Sequence, residues 1–235
     1  MKKNKNLIIV MPVYNEEQII KKVIFDWLKI AKKYKGNLLV INDGSKDKTK
    51  DIINKIKDTS LFIINQKNSG HGKTVINGYK YAVKNNYKFI FQVDSDNQFS
   101  TKDFKKFWVN RKKYDFQVGY RIKRYDPNTR LLITRILRVI IFTLFQVLIK
   151  DSNSPFRLIN YNVLKSFIKK GHTSTVVPNI FLSIFCFKRY KCRTVNVTHL
   201  ERLTGVVWIV KFKLIKFCLE SFYELVKFRL IFNKQ

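Results

Sequence analysis

Apolar positions in the first half of the chain fall into short runs divided by amphipathic stretches. Leu7 to Met11 is one such run, and Asn15 to Tyr34 then sets Ile19, Val23, Trp27 and Ile30 at helical spacing. Asn15 with Gln18 three residues on resembles a capping box at the start of that helix. Leu38 to Ile41 reads as a second strand, the stretch near 47–57 as a helix, and Leu61 to Ile64 as a third strand. His71 to Lys84 carries Val75, Tyr79 and Ala82 on one helical face, and Phe89 to Val93 is a fourth strand. Ser100, with Asp103 three positions later, opens a further helix, and Phe116 to Gly119 is another strand. Such alternation predicts an α/β fold, a mostly parallel sheet flanked by helices.

After Gly119 the pattern changes. Tyr120 to Arg130 is polar and basic, and Leu131 to Lys150 reads as a long apolar helix with Arg135, Arg138, Gln146 and Lys150 on one side. In the stretch from Val206 to Leu230, Lys213, Lys216, Glu220, Glu224 and Lys227 make a narrow polar stripe on an otherwise greasy helix. A basic amphipathic helix of this kind suits a membrane interface, or else packs against the domain or a partner chain. The expected organisation is one domain over residues 1–203 followed by a basic, membrane-interfacial amphipathic tail over 204–235.

The apolar fraction, 46%, is enough for a substantial core and excludes global disorder. Lys and Arg number 47 against 16 Asp and Glu, a formal charge of +31. That field favours anionic partners, although Lys, Asn and Ile are abundant throughout and composition alone accounts for part of it. Cys186, Cys192 and Cys218 form no close pair and suggest reduced thiols in a cytosolic setting; the three histidines lack zinc spacing. The basic start is followed by an apolar run too short for a signal peptide and interrupted by Pro12. No uncharged apolar run reaches the ~18 residues of a spanning helix.

The fourth strand ends in Asp94-Ser95-Asp96-Asn97-Gln98. If the strand persists, Asp94 and Asp96 share a face, and carboxylates that close repel unless a cation lies between them. A hard divalent ion that keeps positions open for substrate phosphates is the natural occupant. An EF-hand is excluded, because Phe99 stands where that loop needs glycine. Three more clusters sit at strand ends: Met11 to Glu17, Asn42-Asp43-Gly44-Ser45, and Asn68 to Thr74. Helix N-termini there favour anions, and Asp43 is suited to accept hydrogen bonds from a base or ribose. Gly72-Lys73-Thr74 mimics the end of a phosphate-binding P-loop, but position 67 is Lys and the loop lacks the glycine that motif requires.

In order and spacing these clusters resemble the inverting family-2 nucleotide-sugar glycosyltransferases of the GT-A fold. Pro12-Val13-Tyr14-Asn15-Glu16 is similar to the opening motif, Asn42 to Asp47 to the nucleotide-contacting turn, Asn68-Ser69-Gly70 with Gly72, Lys73 and Gly78 to the third landmark, and Asp94-Ser95-Asp96 to the Asp-x-Asp. The likeness covers about residues 5 to 125. A narrower one, to dolichyl- and polyprenyl-phosphate sugar synthases, rests on Asp94, Asp96 and Gln98, on Gly119 to Arg124 with Arg130, and on Asp151 to Leu158. Pro155 stands where that group has glycine in Gly-Phe-Arg, and the Gln-x-x-Arg-Trp of processive synthases is missing. His199, Glu201, Arg202 and Gly205 are similar to a later motif of lipid-linked relatives.

The resemblance implies a GT-A-like fold with C-terminal amphipathic helices and a hexosyltransferase that uses a nucleotide-diphosphate sugar and Mg2+ or Mn2+. Asp94, Asp96 and Gln98 would hold the metal. Pro12, Tyr14, Glu16, Asp43, Asp94 and Lys73 would hold the donor. Arg121, with Arg124, Arg130 and Arg135, would meet a polyprenyl phosphate or another lipid-linked acceptor. A lipid phosphate needs no general base, whereas a saccharide hydroxyl on a cell-surface glycan does, and Glu201 is the fair choice for it. The expected location is cytoplasmic, attached peripherally to the inner face of the membrane. A nucleic-acid-binding module is the rival of a different class; charge permits it, but no helix-turn-helix, zinc-finger or RRM pattern supports it. A catalytically dead relative serving as a membrane scaffold is a third reading.

Overall fold

The apolar runs become strands covered on both faces. Every residue of β1 (Leu7–Val13) and β2 (Asn37–Asp43) is buried, which is why hydrophobicity along them does not alternate. β3 (Leu61–Gln66), β4 (Phe89–Gln92), β5 (Phe116–Arg121), β6 (Arg157–Asn160) and β7 (Cys192–Val197) complete a sheet in the order β3-β2-β1-β4-β6-β5-β7. β6 runs antiparallel to β4 and β5, and all other neighbours are parallel. The computed structural model describes residues 5–123, 128–170, 175–201 and 211–232. Arg124, Arg202 and Gly205 lie outside these residues, as do the side chains of Arg130, Lys213 and Lys216.

Odd and even positions of β1 serve different cores. Leu7, Ile9, Met11 and Val13 face α1 (Ile20–Lys33), α2 (Thr49–Asn54) and α4 (Phe104–Trp108). Ile8 and Val10 face α3 (His71–Lys84), α6 (Tyr161–Lys169) and α7 (Pro178–Arg189), with α5 (Asn128–Phe145) and α8 (Lys211–Phe232) beyond. On the first face Phe91 touches Trp27, Phe104 and Phe156 at ring separations of 5.7, 4.8 and 4.7 Å. Each such pair adds about 0.5–1.5 kcal/mol beyond its burial. α3 lies so close to the sheet that a Cβ at Gly78 would stand 2.3 Å from Val10 Cγ1.

Several boundaries differ from those expected. α1 begins at Ile20, not near Asn15, whose φ of 52° turns the chain first. Asn15 spends its side chain on Lys46 N at 2.8 Å, so no capping box forms. α5 stops at Phe145, where Gln146 takes a positive φ, and Arg138 reaches the Lys150 carbonyl across the turn. The polar side expected over 131–150 is therefore not a continuous helical stripe.

α8 is anchored on one face only. Leu225 and Phe228 are buried, and the Phe228 ring stacks on Phe181 at 4.3 Å. Leu219, Phe222, Tyr223 and Leu230 on α8, and Leu132, Ile136, Val139 and Phe142 on α5, are exposed. Among the described residues no helix is long and apolar enough to cross a membrane.

Candidate active site

Parallel strands deliver their following loops to one edge of the sheet, the position where open α/β sheets take ligands. β1, β2 and β4 end there in the segments after Val13, Asp43 and Gln92. The first two loops interlock. Asn15 N donates to Ser45 Oγ at 3.0 Å, Glu16 N to Thr49 Oγ1 at 2.8 Å, and Lys48 N to Glu17 Oε2 at 2.8 Å. Pro12 and Glu16 are buried in this frame and Tyr14 is half-buried.

Asp43 is 3% exposed and organises the third loop. Its Oδ1 accepts from Gln66 Nε2 at 2.8 Å, Ser69 N at 2.9 Å and Ser69 Oγ at 3.1 Å; its Oδ2 accepts from Gly70 N at 2.9 Å. Gly44 beside it has a φ of 67°, and a Cβ there would meet Asn68 N at 2.6 Å. This loop leads through Gly70, at a φ of 89°, into α3, where His71 and Lys73 are exposed.

The acidic pair sits past the end of β4 rather than on it. The strand stops at Gln92, and Asn97 at a φ of 59° turns the loop back, so Asp94 and Asp96 stand on a loop and strand alternation does not set a common face for them. Asp94 Oδ1 is enclosed, has no hydrogen-bond partner, and lies 3.8 Å from His71 Nε2. Asp96 Oδ1 accepts from Gln98 N at 3.2 Å. The loop is braced from behind: Leu200 N donates to Gln98 O at 2.8 Å, Gln98 Nε2 reaches Leu200 O at 3.4 Å, and Phe99 stacks on Phe156 at 5.0 Å. Glu201 follows directly and is exposed. It does not line the cavity described below.

The donors suit a hard divalent ion. Asp94 and Asp96 offer carboxylate oxygens, and the enclosed Asp94 Oδ1 without a hydrogen bond is what a cation would satisfy. Among the described residues no three His, Cys, Asp or Glu cluster tightly enough to hold a metal, so phosphates and water would complete the shell.

Arg121, at the end of β5, forms a two-pronged pair with Asp151: Nε to Oδ2 at 2.7 Å and Nη2 to Oδ1 at 3.0 Å. Sequence reasoning assigned nothing to Asp151 alone, nor to Arg157, which has no exposed surface. Arg157 donates to Ser152 O, Ser154 O and Asn179 O, tying the turn after Asp151 to α7. Burial pulls its pKa down, while Tyr79, Asp151 and Asp94 act the other way. The Phe-Arg in the Asp151 to Leu158 stretch was the available signal, because an arginine inside an apolar strand requires such a cage.

One cavity of about 790 Å³ reaches some of these groups but is not lined by Asp43, Asp96, Gln98 or the Pro12–Glu16 turn. His71, Lys73, Asp94, Arg121 and Asn153 line its polar end. Its other end lies between α5 and α8, walled by Ile136, Leu137, Ile140, Phe222 and Leu225.

The chain is similar to several known proteins. An uncharacterised protein of Methanocaldococcus jannaschii is 30% identical over 172 residues, covering 68% of this chain and 73% of the relative. A UDP-N-acetylglucosamine–dolichyl-phosphate N-acetylglucosaminyltransferase of Methanococcus voltae is 27% identical, covering 69% of this chain and 72% of its own length. Glucosyl-3-phosphoglycerate synthase from Mycobacterium tuberculosis, solved with Mn2+, UDP and phosphoglyceric acid, superposes with a TM-score of 0.69 at 16% identity, over 95% of this chain and 78% of that one. The expected GT-A-like fold is thus borne out. The profile of glycosyl transferase family 2 matches residues 8–185, and the chain belongs to that family of glycosyltransferases.

Proposed function

We propose that the chain moves a sugar from a nucleotide-diphosphate donor to a polyprenyl phosphate, with inversion at the anomeric carbon. The observation that carries this reading is the two-ended cavity. Its charged end suits phosphates, and its apolar end between α5 and α8 suits a hydrocarbon chain. An acceptor with an anionic head and a greasy tail matches both. The Methanococcus voltae relative, named for a dolichyl-phosphate acceptor, supports the same choice.

This reading assigns the residues the following roles. Asp94 and Asp96, helped by Gln98, would hold Mg2+ or Mn2+ against the diphosphate. The bound ion supplies positive charge where the leaving group gains negative charge. The buried Pro12–Glu16 turn with Tyr14 holds the nucleotide, and Asp43 shapes its pocket through the Ser69–Gly70 loop. Lys73 adds charge at the mouth of α3. Arg121, oriented by Asp151, meets the acceptor phosphate. That phosphate oxygen attacks the anomeric carbon from the face opposite the diphosphate, and the nucleoside diphosphate departs with the bonding pair. The acceptor is already an anion, so no base is required; Glu201 would serve only a hydroxyl acceptor.

The exposed apolar residues of α5 and α8 would rest in the headgroup region of the membrane's cytoplasmic face, with residues 204–235 as the interfacial tail. The +31 charge would assist on an anionic bilayer. The test is incubation with a panel of radiolabelled nucleotide sugars, Mn2+ and undecaprenyl phosphate, followed by organic extraction. The expected product is extractable, labelled lipid that disappears with Asp96→Ala. Label that passes only to a water-soluble saccharide rejects the lipid acceptor.

A further inference from the structure

One carboxylate stands in the wall of the apolar slot. Glu224, on α8, lines the cavity between Phe222 and Leu225, where a narrow polar stripe was expected. It accepts from the hydroxyl of Thr175 and from Val176 N, the latter at 3.2 Å. Thr175 Oγ1 accepts in turn from Val177 N at 3.0 Å, so the strap Thr175–Val177 presents a fixed pair of donors to the helix. The strap's other side lies against α3. A Cβ on Gly72 would stand 2.9 Å from Val176 O and 3.1 Å from Thr175 O, which places the strap directly on the first turn of α3.

A carboxylate is a poor adhesive for a greasy helix. It loses hydration that an apolar side chain would not, and replacing buried charges with apolar groups commonly leaves stability unharmed or improved. What a carboxylate adds is geometry, since a backbone N–H and a hydroxyl fix where the helix sits along its axis. The strap packs on α3, and Glu224 joins α8 to it beside the Phe228–Phe181 stack.

We propose that Glu224 is a positioning residue, latching α8 to the Thr175–Val177 strap and so setting the width of the slot that receives the acceptor's hydrocarbon. The occupant named here rests on the lipid-phosphate reading above; the latch itself does not. Glu224→Ala, Thr175→Val and the double variant test it, with Glu224→Gln as the conservative change. Hydrogen exchange reads the latch alone: the Val176 amide should exchange about tenfold faster or more in Glu224→Ala, the range expected for losing a charge-assisted bond. Undecaprenyl phosphate in detergent micelles should bind about five- to tenfold more weakly to each single variant. The double variant should bind lipid less weakly than the two single losses multiplied, because the Thr175–Glu224 bond is shared by both changes. Glu224→Gln should recover part of the loss, and UDP with Mn2+ should bind all variants alike.

Unchanged exchange at Val176 overturns the latch. Faster exchange with undischarged, wild-type lipid affinity overturns the positioning role. Full lipid binding with turnover lost in Glu224→Gln and kept in Thr175→Val would make Glu224 a base instead, which also overturns it. Faster exchange in a protein that never binds undecaprenyl phosphate leaves the latch standing and sinks the lipid reading.

Discussion

Asp43→Asn removes one oxygen from a site built for two. Oδ1 serves three donors and Oδ2 one, all from Gln66, Ser69 and Gly70. An asparagine that keeps its oxygen toward the first three turns its NH2 onto the Gly70 N–H, donor against donor. The opposite orientation meets Ser69 N and Gln66 Nε2 the same way and is worse. The better case loses one bond to a charged group, about 1.5–3 kcal/mol, and the bonds it keeps fall to neutral strength. At a position 3% exposed, water does not compensate. We expect a loss of about 2–4 kcal/mol in urea denaturation. The damage should be local as well: Ser69 and Gly70 amides exchange faster, and UDP affinity falls by about tenfold as the loop before α3 slackens. Asp26→Asn is the control, since its partner is the exposed Lys22 four residues away, and it should cost no more than about 0.5 kcal/mol. If Asp43→Asn matches that control and leaves Ser69 and Gly70 protected, Asp43 does not hold the loop.

Asp151→Asn removes the carboxylate of the two-pronged pair with Arg121, whose side chain is 12% exposed, and should lower stability by about 2–4 kcal/mol while tightening pyrophosphate binding; unchanged anion affinity by calorimetry would contradict the charge argument. Gly78→Ala gains helix propensity but drives a Cβ to 2.3 Å from Val10 Cγ1 and 3.0 Å from Ile41 Cδ1, so thermal denaturation should register a net loss of about 1–3 kcal/mol. Thiol reactivity should divide the cysteines. Burial pushes Cys186 up and Cys192 to about 12, so a disulfide reagent at pH 8 finds little thiolate at either. Cys218, in the cavity wall, should react first, and undecaprenyl phosphate should slow it.

The half of the fold built from local signals was legible. β1 to β5 coincide with apolar runs, and α3 was placed at both ends because its face and its glycine entry are local features. The half built from distant partners was not. β6 has four residues, one of them the buried Arg157, and exists because β4 and β5 flank it. α7 is buried from Pro178 through Cys186 and shows no polar face to betray its period, although Pro178 at its first turn was a usable start signal. Asn15 misled because its side chain could cap locally, yet found a better donor 31 residues away. The acidic motif was expected on the end of a strand, whereas a turn past Gln92 carries Asp94 and Asp96. Asp43 was read as a nucleotide contact, whereas its four bonds to a loop 23 to 27 residues later had no trace in sequence. Glu224 was one more charge on a narrow polar stripe in the sequence, and its bond to Thr175 had no trace there.

The proposed function requires the Asp94–Asp96 turn to hold a donor diphosphate through a divalent ion. A crystal of the chain grown with UDP and Mn2+ tests this through the anomalous signal of manganese. A peak is expected within bonding distance of an Asp94 or Asp96 carboxylate oxygen and of the UDP phosphates. UDP bound on the far side of the sheet, or manganese held away from both carboxylates, would contradict it.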